Sequence, residues 1–143
     1  MTVTLIQLAA ATGMALLMTL IHGAGLIGIA RMLRLRKKRL EQRAFDRGAL
    51  LLLGAVGMLV FALHTLEIGV FALLYLIVGA IRAFGDALFY SAAAYATLGR
   101  TEEYFPAGWR LVGAFEALIG FLLIGWSTAF VANTMSRLRR EPI

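Results

Sequence analysis

Four ionisable side chains stand inside otherwise apolar stretches of this chain: His22, His64, Glu67 and Glu116. Each is costly to bury in such surroundings, so each is a candidate site to be weighed against a purely structural role. His64 and Glu67 lie three residues apart and share a face if their segment is helical. They read as a hydrogen-bonded pair that anchors its helix to a neighbour, with a metal or proton site as the alternative. His22 reads as a histidine satisfied between helices. Glu116 reads either as an acceptor for nearby backbone N–H groups or as the partner of Arg110. Those two are six residues apart, so the pairing needs a neighbouring chain or a bent segment. No catalytic constellation is present: the carboxylates have no nucleophile beside them, there is no Gly-rich phosphate loop, and the two histidines fall in different apolar stretches. There are no cysteines for thiolate chemistry. No enzyme activity, metal or cofactor is expected.

The elements that must position these groups follow from composition. The chain has 143 residues, 61% hydrophobic and 15% charged. A soluble domain has roughly 45–50% apolar and about 25% charged residues. The formal charge of +6 is concentrated, with eight of the fourteen basic residues between Arg31 and Arg47. A basic cluster between long apolar stretches points to a membrane surface rather than to nucleic acid. The expected class is an all-α integral membrane protein.

Thr2 to Ala30 holds no charge, and as a helix it is roughly 43 Å long, more than a bilayer core requires. It is expected to be a retained span over 1–30 rather than a cleaved leader, since no basic segment precedes it. Residues 31–47 form a basic loop, which the positive-inside rule makes cytoplasmic, with the N-terminus outside. Within that loop Arg34, Arg36, Lys37, Lys38 and Arg39 are placed to meet anionic lipid headgroups. A second span is expected from Gly48 to Val70, with His64 and Glu67 near its outer end and Phe71 to Ile81 above the membrane or along its outer surface. The third span, over 108–134, precedes Arg137, Arg139 and Arg140 in a cytoplasmic tail at 137–143. Residues 81 to 107 therefore begin and end outside, and a helix within them has to dip into the membrane and return. Such backbone is tolerated where protein buries it or where it lines a watery cavity.

Phe84 to Gly99, followed by Trp109 to Glu116 and by Gly120 to Ala132, resembles the pore module of the potassium-channel superfamily. It is most similar to small bacterial ion-channel proteins that carry an additional N-terminal span and His-x-x-Glu in the outer helix, here His64-Thr-Leu-Glu67. The resemblance covers about residues 48–136: an outer helix, a pore helix and filter over 84–103, and an inner helix over 108–134. It implies a homotetramer in a bacterial inner membrane, since four loops close one filter. Thr97, Leu98 and Gly99 take the inner half of the filter. Arg100 then stands where the family has Tyr, Thr101 where it has the second Gly, and Glu102 where it has Asp, with Glu103 next at the mouth. A β-branched residue at that glycine position strains the usual filter backbone. Asp86, Tyr90, Tyr95 and Glu116 are implied to support the filter from behind, and Gly120 and Gly125 offer hinge positions, close helix packing being the plainer role.

The expected function is a tetrameric pore-loop channel with a degenerate filter and weakly selective passage of K⁺ or Na⁺. Two alternatives stand beside it: a non-conducting membrane scaffold that binds lipid or a partner protein, and an anion pathway lined by Arg100.

Overall fold

The computed structural model describes residues 1–40, 47–98 and 107–139, with side chains placed over 1–33, 50–98 and 108–136. In chain order these form α1 (Thr2–Leu40), α2 (Arg47–Ile77), α3 (Phe84–Tyr95), a 3-10 turn at Ala107–Trp109 and α4 (Arg110–Arg139). Three helices are long and apolar enough to cross a membrane, over Thr2–Leu33, Leu50–Ile77 and Arg110–Ser136. The burial pattern inverts that of a water-soluble domain. Leu16, Leu20, Leu50, Met58, Phe61 and Phe121 face outward, whereas Gln7, His22, Glu67, Ser91, Glu116 and Ser127 are buried. Outward-facing Thr65 and Thr128 each donate to the carbonyl four residues back, at 2.9 Å, so neither hydroxyl needs water.

Contacts between helices fix their directions. His22 meets Glu67, and Ile29 packs with Val56 and Val60, so α1 and α2 are antiparallel. Gln7 meets Leu111 and His22 meets Ser127, so α1 and α4 run the same way. The basic end of α1, the start of α2 at Arg47 and the end of α4 at Arg139 consequently gather at one end of the bundle. At the other end Gln7 Oε1 accepts from the Leu111 N–H at 3.0 Å. That bond satisfies one of the donors that a helix start leaves without an intrahelical partner.

α2 and α3 end in the same backbone motif with different residues. At the end of α2, Gly79 has φ 68°, its N–H bonds to Leu76 O, and the Ala80 N–H bonds to Tyr75 O. At the end of α3, Thr97 has φ 58°, its N–H bonds to Ala94 O, and the Leu98 N–H bonds to Ala93 O. Both are Schellman terminations, whose left-handed residue is ordinarily glycine. A β-branched threonine there carries a steric penalty that glycine does not.

Two element boundaries differ from the sequence expectation. α1 continues through the basic segment to Leu40 instead of giving way to a loop at Arg31. Leu, Arg and Lys are good helix formers, and no Gly or Pro interrupts them. α2 continues past Val70 to Ile77, and Phe71, Ala72 and Tyr75 are fully buried among Met14, Met18, Val112 and Ile119. The helix runs on until Gly79 supplies its stop. His64 is therefore at the midpoint of the Leu50–Ile77 segment, not near its outer end.

Candidate functional site

α3 is held between α2 and α4 by polar and close contacts that descend in register. Tyr90 packs edge-on against Tyr75 of α2, with ring centroids 5.2 Å apart, and lies over Gly113 of α4. At the next residue, Ser91 Oγ is 2.8 Å from Ile68 O and 2.5 Å from Glu116 Oε1. At its last residue, Tyr95 meets His64 and Glu67 of α2 and lies against Gly120 of α4. A Cβ on Gly120 would overlap the Tyr95 carbonyl oxygen, so this glycine permits the close approach of α3 to α4. It is a close-packing position, and α4 is continuous through it. Gly125 has nothing within 4 Å of where its Cβ would be.

The first polar cluster centres on Glu116, which is fully buried. Its carboxyl accepts from the Tyr75 hydroxyl at one oxygen and from Ser91 at the other. Its described partners are thus side-chain hydroxyls from α2 and α3, not backbone N–H groups or Arg110, which is exposed at the start of α4. Tyr75 and Ser91 were not singled out from sequence, because a hydroxyl in an apolar run gives no periodic signal of its own.

The second cluster lies deeper and unites all four helices. Glu67 is fully buried, with Oε1 2.9 Å from His22 Nδ1. Its Oε2 is 3.2 Å from His64 Nδ1 and accepts from the Tyr95 hydroxyl at 2.5 Å. The same hydroxyl is 2.8 Å from His64 Nδ1. On the far side of both rings is Ser127 Oγ, 3.0 Å from His64 Nε2 and 3.3 Å from His22 Nε2. His22 is fully buried and stacks on Trp126, with centroids 6.0 Å apart. Apolar layers close the site above and below: Phe71, Tyr75, Val112 and Ile119 on one side, Ile29, Val56 and Val60 on the other. Every buried side-chain nitrogen and oxygen among the described residues has a hydrogen-bond partner. His22, His64 and Glu67 are the described residues whose ligand atoms come within 4.8 Å of one another in a set able to coordinate a metal.

Not every residue named from sequence joins these clusters. Asp86 is exposed in the first turn of α3, at the opposite end of that helix from Thr97. Tyr90, Tyr95 and Glu116 lie at the contacts of α3 with α2 and α4. Thr97 and Leu98 are exposed just beyond α3. Gly99, Arg100, Thr101, Glu102 and Glu103 lie outside the described residues, as do the side chains of Arg34, Arg36, Lys37, Lys38 and Arg39. Compared with family models, curated proteins and solved structures, the chain matches none.

Proposed function

We propose that this chain is one subunit of a homotetrameric pore-loop ion channel that passes monovalent cations, K⁺ or Na⁺, with weak selectivity. The observation that carries the reading is the descending register of α3. Its successive contacts fall on Tyr75, Ile68 and His64 of α2, and on Gly113, Glu116 and Gly120 of α4. In this reading α3 is the pore helix, Phe84 is its outer end, and Thr97 emerges near the depth of His64, half-way along α2. Thr97, Leu98 and Gly99 form the constriction, and Arg100 to Glu103 form the mouth.

Polarity supports a cation in preference to an anion. The carbonyl end of a helix carries about half a negative elementary charge, and for α3 that end is at Tyr95, next to the proposed constriction. The gathering of basic residues at one end of the bundle supports a cytoplasmic placement of that end in a bacterial inner membrane, with the N-terminus outside. The C-terminal turns of α1 would then meet anionic headgroups through Arg34 to Arg39.

The mouth carries the test. Restoring the family pattern with Arg100→Tyr, Thr101→Gly and Glu102→Asp together should raise the K⁺/Na⁺ permeability ratio well above that of the wild type. An unchanged ratio in a conducting triple variant would overturn the assignment of Thr97 to Glu103 as the filter.

A further inference from the structure

The cluster around Glu67 has the makings of a metal centre, and it stands independently of whether the chain conducts. Two imidazole nitrogens and a carboxylate converge from two helices, His22 from α1 and His64 and Glu67 from α2. The Nδ1 atoms of His22 and His64 are 2.9 and 3.2 Å from separate oxygens of Glu67. Ligand atoms around a tetrahedral Zn²⁺, with metal bonds of about 2.0–2.2 Å, are themselves about 3.3 Å apart. These donors are therefore close to coordination spacing, and an ion needs only small side-chain adjustments to reach them.

A second observation concerns the opposite edges of the two rings. A metal-bound histidine nearly always gives its other N–H to an oxygen, which fixes the tautomer and the ring plane. Ser127 Oγ is within reach of both Nε2 atoms. A serine oxygen has two lone pairs, so it can accept from both Nε2–H groups and leave both Nδ1 lone pairs directed at Glu67. Without an ion, that tautomer pair would set two nitrogen lone pairs against a carboxylate, and a proton would have to intervene. A cation relieves the same arrangement.

A third observation is the Tyr95 oxygen, 2.5 Å from Glu67 Oε2 and 2.8 Å from His64 Nδ1, which places a fourth donor beside the two nitrogens and the carboxylate.

We propose that His22, His64, Glu67 and Tyr95 form a four-ligand site for a divalent transition ion of the Zn²⁺ class, with Ser127 orienting both histidines. Two nitrogen donors select against Mg²⁺ and Ca²⁺, which take oxygen. The ion would join α1, α2 and the end of α3 at one point.

The test uses untagged full-length protein in detergent, stripped with a chelator and dialysed against Zn²⁺. One Zn²⁺ per chain is expected. Ser127→Ala, which removes no ligand, should weaken binding roughly 10- to 100-fold. Tyr95→Phe should weaken binding without abolishing it, since the two histidines and Glu67 remain. Absence of bound Zn²⁺ from folded wild-type protein would overturn the proposal, as would full occupancy in a His22→Ala/His64→Ala double variant. Where that double variant does not fold, Co²⁺ loading of the wild type decides. An intense tetrahedral nitrogen–oxygen absorption spectrum supports the site, and the weak spectrum of octahedral aqua Co²⁺ refutes it.

Discussion

His22 Nδ1 and Glu67 Oε1, from residues forty-five positions apart in the chain, meet at 2.9 Å with both side chains fully buried. This bond is the polar link between α1 and α2, and it sits between two apolar layers that provide no substitute partner. Removing His22 leaves Glu67 Oε1 buried without this partner while Oε2 keeps Tyr95 and His64, a cost of about 1–3 kcal/mol. His22→Ala should therefore lower stability by about 1–3 kcal/mol in chelator-treated detergent solution, as read by thermal unfolding. A loss below 1 kcal/mol would mean that α1 does not depend on this contact.

Tyr75 and Ser91 reach the same carboxyl from different helices. Tyr75→Phe alone should cost about 1–3 kcal/mol, since one bond to a buried acid disappears. Adding Ser91→Ala removes the other described donor to Glu116, so the double variant should be worse than the sum of the singles by about 0.5–3 kcal/mol. A double-mutant cycle in denaturant measures this coupling, and strict additivity would separate the two hydroxyls energetically.

Gly120 and Gly125 are five residues apart on one helix and should respond in opposite senses. Gly120→Ala pushes a methyl group into the Tyr95 carbonyl, so α3 must shift away from α4 and the unfolding temperature should drop. Gly125→Ala meets nothing within 4 Å in the isolated subunit and gains about 0.5–1 kcal/mol in helix propensity. Loss of oligomerisation in Gly125→Ala, with the fold intact, would place that position at a subunit contact.

Thr97 occupies at the end of α3 the left-handed position that Gly79 occupies at the end of α2. Thr97→Gly should relieve about 1 kcal/mol of steric strain. The amide of Leu98, bonded to Ala93 O at 2.9 Å, reports it directly: its hydrogen exchange should slow in the variant. Faster exchange would argue that threonine is needed at that turn.

Much of the architecture was legible because hydrophobic run length and charge placement are one-dimensional signals. The three long apolar helices follow from them, the shared face of His64 and Glu67 follows from their spacing, and the short helix starting at Phe84 was implied by the resemblance to a pore module. What stayed hidden depends on register between helices. Nothing in the chain indicates that His22 falls level with Glu67, or that Ser127 falls between the two histidines. Likewise, Tyr75 and Ser91 become partners of Glu116 only once α2, α3 and α4 are set side by side. For Asp86 the resemblance implied a place behind the filter, and in the structure it is exposed in the first turn of α3. The extension of α2 was misplaced because bilayer thickness was used to end a helix that ends where Gly79 permits a left-handed turn.

The most direct test of the central claim is planar-bilayer recording from the purified, reconstituted full-length protein, first with K⁺ and Na⁺ on opposite sides and then in a KCl gradient. A weakly selective cation channel gives a bi-ionic reversal potential near zero and a gradient reversal potential that moves toward the K⁺ equilibrium value. A gradient reversal that follows Cl⁻, or persistent silence from protein verified as a tetramer by mass and tried across voltage and pH, would contradict it.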